Sequence, residues 1–169
     1  MATVTAPNRS IIAWLLVAAG ALQVLGGIVG LANAGNTGAI YAISNLALGV
    51  AFVLMMAWYS ATNTARIAFF IAAVGWLLLV LTSLLNLGIL STLAVLIAAV
   101  GSVFAGIIIY GSRVFGQQAS LIFLVAMIVG AVNLLLSQNG NVPGVLRALV
   151  VVIFGVLLVV SGIWMIRRR

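Results

Sequence analysis

The chain has 169 residues, of which 66% are hydrophobic and 4% are charged, and its formal net charge is +7. Soluble domains are about 45–50% apolar and about 25% charged, so this composition excludes a water-soluble globular protein. Asp, Glu, His, Lys and Cys are absent, and all seven cations are arginines. Disulfides, the usual side-chain metal ligands and the usual general acids and bases are therefore excluded. We expect an integral membrane protein that is not an enzyme and holds no cofactor.

Six apolar stretches are long enough to cross a bilayer, for which a helix needs about 20 residues. They run over Ile11–Leu31, Ala39–Tyr59, Ile67–Leu87, Thr92–Tyr110, Ala119–Leu136 and Pro143–Ile166. The breaks between them are rich in Gly, Asn, Ser and Thr, which favour turns. The sequence thus predicts an all-α polytopic membrane protein. Its parts are an N-terminal segment (1–10), one six-helix domain (11–166) and a basic C-terminus (167–169).

The first stretch has an alternative interpretation as a cleaved signal peptide, because the small residues of 32–34 follow it. A secretory apolar region has about 7–15 residues. The run Ile11–Leu31 is longer than that, which favours a retained transmembrane helix.

The arginines predict the orientation. With six spans, Arg9, Arg66, Arg113 and the terminal arginines fall on one side of the membrane, and Arg147 falls on the other. Cytoplasmic loops carry the excess of arginine, so both termini are expected in the cytoplasm of a cell with this protein in its plasma or inner membrane. The scattered arginines do not form the clustered face of a nucleic-acid-binding protein. A juxtamembrane contact with anionic lipid headgroups is expected for Arg167, Arg168 and Arg169.

Arg147 follows Pro143 by four residues, and proline is tolerated in the first turn of a helix. At 1.5 Å per residue its Cα lies about 6 Å below the helix start, within reach of the outer headgroups by snorkelling. The alternative is a contact with a lipid phosphate or with a carboxylate on a partner protein, since this chain has no Asp or Glu.

The even-numbered spans share a glycine that an aromatic residue follows nine positions later. The pairs are Gly49 and Trp58, Gly101 and Tyr110, and Gly155 and Trp164. This pattern favours three helical hairpins around a pseudo-threefold axis along the membrane normal.

The first hairpin contains the segment Leu25-Gly-Gly-Ile28, and the last one ends with Leu158-Val-Val-Ser-Gly-Ile163. With these segments, the three-hairpin pattern resembles the HdeD-like family of small six-span bacterial membrane proteins. Turns of that family tend to carry a proline, which here appears only in the turn at Pro143. The resemblance implies a role in acid resistance, and no functional residue is carried over from it.

Small residues spaced four apart let transmembrane helices approach closely. Such pairs are Gly26 and Gly30, Ala47 and Ala51, and Ser102 and Gly106. They indicate either a dimerisation face or packing within the bundle, and we expect packing. Trp76, near the middle of the third span, is expected to meet a carbonyl of a neighbouring helix or to face a partner protein.

The polar residues within spans are Gln23, Asn45, Thr82, Ser83, Ser102, Asn133 and Ser161. No polar position recurs at one depth in all three even spans, so hydrogen bonds between helices are expected rather than a threefold-lined pore. The leading hypothesis is a non-catalytic membrane protein with a structural, accessory or stress-protective role. The alternative is a transporter or channel for a small neutral or lipidic solute. The expected partners are the bilayer and either another membrane protein or a second copy of the chain.

Overall fold

The computed structural model describes residues 6–32, 37–59, 62–85 and 87–167. The helices are α1 (Ala6–Leu31), α2 (Gly38–Tyr59), α3 (Asn63–Leu85), α4 (Gly88–Ser112), α5 (Gln117–Ser137) and α6 (Gly144–Arg167). All six are long and apolar enough to cross a membrane, which confirms the predicted six-helix membrane fold. Residues 33–36, 60–61 and 86 of the predicted turns lie outside the described part of the chain.

Several helices begin before the predicted spans. α1 begins at Ala6 instead of Ile11, and α4 begins at Gly88 instead of Thr92. α3 begins at Asn63, where the Thr62 hydroxyl accepts a hydrogen bond from the Ala65 amide at 3.2 Å. Apolar residues mark the hydrocarbon core, whereas backbone hydrogen bonding and capping continue a helix into the headgroup region. Hydropathy therefore predicted the spans but not the helix ends.

The helices form a closed ring in chain order. Each helix packs against its neighbours in the chain, and α1 also packs against α6. α2 therefore lies opposite α5 across the ring, and α3 lies opposite α6. Because successive helices alternate in direction, Arg9, Arg66, Arg113 and Arg167 lie at one end, called the basic end below. Arg147 lies at the opposite end.

Small residues at every seventh position bring α1 and α6 into backbone contact. A Cβ atom added at Gly20 would lie 2.5 Å from the Gly155 carbonyl oxygen, and one added at Gly155 would lie 2.6 Å from the Gly20 carbonyl oxygen. A seven-residue period keeps one seam facing the partner helix, and small residues let the backbones approach. This glycine seam consists of Ala13, Gly20 and Gly27 in α1 and Ala148, Gly155 and Gly162 in α6.

A second close approach joins α3 and α4, directly across the ring from the seam. Cβ atoms at Gly75 and Gly101 would collide with the backbones of Ala98 and Ala72, respectively. Of the aligned glycines, Gly49 and Gly155 contact the first helix of the next hairpin, whereas Gly101 contacts the other helix of its own hairpin. The aligned glycines thus have different surroundings, and the threefold repeat is not confirmed.

Aromatic rings fill the centre of the ring of helices. Phe52 of α2 meets Phe123 of α5 edge to face at 6.3 Å between ring centroids. Trp76 of α3 stacks on Phe154 of α6 at 6.2 Å. Both pairs join opposite helices, and all four side chains are buried. These side chains are called the aromatic layer below.

Trp76 meets a hydroxyl instead of the expected carbonyl. Its indole Nε1–H donates to Ser102 Oγ of α4 at 2.8 Å. This bond satisfies a polar group that is buried among the helices. The outward faces of the helices expose large apolar side chains, such as Ile28, Phe70 and Phe104. The chain is an integral membrane protein whose outward faces contact lipid.

Candidate binding vestibule

The basic end is closed by the turn between α4 and α5. Arg113 and Gly116 have positive φ angles of 51° and 83°, and the Gly116 amide donates to the Arg113 carbonyl at 2.8 Å. Between them, Phe115 is fully buried. Arg9 of α1 donates from Nη2 to the Phe115 carbonyl oxygen at 3.3 Å. This contact ties the turn to a helix on the far side of the ring.

At the opposite end, two recesses between described residues are together called the vestibule. The Arg147 recess has a volume of about 440 Å³, and its lining includes Gly30, Tyr41, Asn133, Ser137 and Arg147. The Gln23 recess has a volume of about 210 Å³, and its lining includes Gln23, Tyr41, Asn45, Thr82 and Ser137. Tyr41 and Ser137 line both recesses, so the two adjoin.

The Gln23 recess is lined by groups that hydrogen-bond within the protein. Gln23 Nε2 donates to Asn45 Oδ1 at 3.5 Å, which joins α1 to α2. The hydroxyls of Thr82 and Ser137 donate to carbonyls one turn earlier in their own helices, at 3.2 and 2.6 Å. A hydroxyl that donates a hydrogen bond retains lone pairs that accept one. These positions can therefore still bind a donor on a ligand.

Arg147 is the cation of the vestibule. Its Nη2 donates to the Asn139 carbonyl oxygen at 2.8 Å. Its Nε atom is buried and has no hydrogen-bond partner among the described residues. The sequence contains no Asp or Glu side chain, so this guanidinium has no acidic side chain of its own chain to pair with. The vestibule thus combines one cationic group with hydroxyl and amide groups.

The other sequence-predicted residues lie in several places. Gly26 is buried against the Tyr41 ring, Ser102 accepts the Trp76 bond, and Gly106 is buried against α5. Gly30 is exposed, and nothing among the described residues lies within 4 Å of a Cβ added there. Arg167 is exposed at the end of α6, and Arg168 and Arg169 lie outside the described residues.

Sequence reasoning missed Tyr41 and Ser137 as lining residues and did not predict that the polar residues share one site. A recurrence in the even spans does not reveal the site, because Gln23, Thr82 and Asn133 lie on odd-numbered spans. A usable signal was present: Gln23, Asn45 and Asn133 all fall in the half of their helix that is remote from the basic end. Sorting polar residues by membrane half would have placed them together with Arg147.

No protein-family model, curated protein or solved structure matches this chain. The features of the chain that bear on its function are therefore the ring of helices, the aromatic layer and the vestibule.

Proposed function

We propose that the chain is a non-catalytic accessory component of a cell membrane, with a structural or stress-protective role. The observation that carries this proposal is the aromatic layer, in which Phe52–Phe123 and Trp76–Phe154 bridge opposite helices at 6.3 and 6.2 Å. A channel for a neutral solute needs a continuous polar path, and the buried aromatic rings interrupt such a path between the vestibule and the basic end.

The chemistry of the side chains supports the same proposal. Enzymatic acid–base catalysis uses His, Asp, Glu, Lys, Cys or Tyr. Of these, the chain contains only Tyr, three residues in all. The resemblance to the HdeD-like family adds acid stress as the condition in which we expect the protein to act.

A flux measurement separates this proposal from the alternative of a transporter or channel. Purified protein is reconstituted into liposomes, and glycerol entry is followed by stopped-flow light scattering. Scrambling of a fluorescent phospholipid is measured in parallel, with vesicles holding a known glycerol channel as the positive control. We expect both rates to equal those of protein-free vesicles. A faster rate in either assay would overturn the accessory role in favour of transport.

We also infer from the arginine distribution that the basic end faces the cytoplasm of the cell. The chain has no cysteine, so a maleimide can label a variant only at the single cysteine that is introduced. Asn63 and Asn141 are exposed at the basic end and at the opposite end, respectively. A membrane-impermeant maleimide on intact cells should label Asn141→Cys and leave Asn63→Cys unlabelled until the cells are lysed. The reverse pattern would overturn the orientation.

A further inference from the structure

We propose that the Arg147 recess is a binding site for an amphipathic anion, a molecule with a phosphate or carboxylate headgroup and a hydrocarbon tail. This site goes beyond the accessory role and does not depend on it. Three features of the recess support it: the unpaired cation, the size and apolar part of the lining, and the exposed rim.

The cation defines the headgroup. Arg147 uses Nη2 on the Asn139 carbonyl oxygen, while its buried Nε has no partner among the described residues. A cation that is partly withdrawn from water favours a nearby anion, and here the anion has to come from outside the chain, which has no acidic side chain. A planar guanidinium suits a phosphate or a carboxylate because it donates parallel hydrogen bonds. Tyr41 and Asn133 add further donors to the lining.

The rest of the recess defines the tail. Alongside Arg147, the lining includes the apolar side chains of Leu31, Val145, Ala148 and Val151. The volume of about 440 Å³ is within the range of about 300–1,000 Å³ that is typical of small-molecule sites. One water molecule, which is a single heavy atom, takes about 30 Å³ of liquid volume, so the five heavy atoms of a bare phosphate would leave most of this space unfilled. A hydrocarbon tail would cover the apolar wall.

The rim of the recess lies where a lipid can reach it. Leu31 and Val145 are 42% and 62% exposed, and they stand at the ends of α1 and α6, where the membrane meets water. The same headgroup chemistry is available from a lipid in the bilayer and from a free anion in the aqueous phase. The test therefore includes a probe for each source.

The test measures thermal unfolding of the full chain in a non-ionic detergent. The probes are dodecyl phosphate, which has headgroup and tail, potassium phosphate, which has the headgroup alone, and dodecanol, which has the tail alone. A ligand that binds only the folded state raises the melting temperature in a saturable manner. We expect this rise with dodecyl phosphate and not with dodecanol. An equal rise with potassium phosphate would support an anion site but assign it to a free anion. It would overturn the inference that the ligand carries a hydrocarbon tail.

Two arginine variants with the same change in charge test the headgroup. Arg147→Gln should weaken dodecyl phosphate binding by about tenfold to hundredfold, because charge-assisted hydrogen bonds are lost. Arg167→Gln removes a cation at the basic end and should leave the affinity unchanged. Unchanged affinity in Arg147→Gln, or an equal loss in Arg167→Gln, would overturn the site.

A second variant tests the recess without altering the arginine. Nothing described lies within 4 Å of a Cβ at Gly30, so Gly30→Leu should fold and place its side chain into the mouth of the recess. Gly111 is also open at its Cβ position but lies at the basic end of α4, which makes Gly111→Leu the matched control. We expect Gly30→Leu to abolish the stabilisation by dodecyl phosphate and Gly111→Leu to retain it. Full stabilisation of Gly30→Leu would show that the ligand binds elsewhere.

Discussion

The two ends of the ring differ, and the loops that flank α5 account for much of the difference. At the basic end, the turn before α5 inserts Phe115 between the helices and is bonded to Arg9. At the opposite end, the loop after α5 is polar and exposed, and Gln138 accepts a hydrogen bond from Thr92 at 3.0 Å. A ring of helices is thus closed where a loop supplies an apolar side chain to its centre. Where the loop remains outside, the ring encloses a recess.

The largest expected effect comes from removing the side chain that closes the basic end. Phe115→Ala should lower the free energy of unfolding by about 3–5 kcal/mol, because it creates a cavity at a fully buried position. The matched control is Phe104→Ala on α4, where the ring is 56% exposed on the outward face. Thermal unfolding in detergent measures both variants. Equal effects at the two positions would contradict the closure of the basic end by Phe115.

The glycine seam is expected to hold both ends together, since it runs from Ala13 and Gly162 at the basic end to Gly27 and Ala148 at the vestibule. Gly20→Ala should cost about 1–3 kcal/mol, because its Cβ meets the Gly155 carbonyl and the helices have to separate. Gly30→Ala in the same helix meets open space and should gain up to about 1 kcal/mol from helix propensity. Unfolding of the two variants under the same conditions checks the contrast. If Gly30→Ala lowered the free energy of unfolding as much as Gly20→Ala does, close packing in the seam would not explain the loss.

The sequence predicts the six helices well because hydropathy depends on local composition alone. It does not predict which helices approach most closely. The aligned glycines Gly49, Gly101 and Gly155 look equivalent in the sequence, yet Gly101 contacts a different type of neighbour from the other two. Which helix each glycine contacts depends on how all six helices pack in the ring. It also depends on bulky partners such as Phe52 and Trp76, which no spacing rule relates to the glycines.

The candidate site was predicted in part. Arg147 was identified because it is the one arginine that lies inside a predicted span, and charges within transmembrane segments are rare. The recess around it arises from the combination of Tyr41 on α2, Asn133 and Ser137 on α5, and Gly30 on α1. These residues are far apart in the sequence, and their meeting depends on the contact between the first and last helices. The sequence therefore identified the charge of the site but not its shape.

The two ends also differ in whether a buried serine hydroxyl has a hydrogen-bond partner among the described residues. Ser44, in the vestibule half of α2, donates to the Ala19 carbonyl at 2.9 Å. Ser161, near the basic end of α6, is buried and its hydroxyl has no partner among the described residues. Ser44→Ala should cost about 0.6 kcal/mol, the average for such bonds in a membrane protein. Ser161→Ala should be neutral or slightly stabilising, because it removes an unsatisfied polar group. Chemical unfolding of both variants measures the difference, and a larger loss in Ser161→Ala would reveal a bond that this hydroxyl makes.

The smallest expected effect is that of pH, and it applies to both ends alike. The groups that titrate between about pH 4 and about pH 9 are mainly Asp, Glu, His and Cys, and the chain contains none of them. Stability depends on pH only where the folded and unfolded states bind different numbers of protons. Neither the Phe115 closure nor the vestibule has such a group, so the melting temperature in non-ionic detergent should stay constant from about pH 7 to about pH 5. This constancy suits a role under acid stress, and it means that any response to acid has to come from a lipid or a partner. A sharp drop in melting temperature over this interval would contradict the prediction, because no side chain of the chain supplies the required proton.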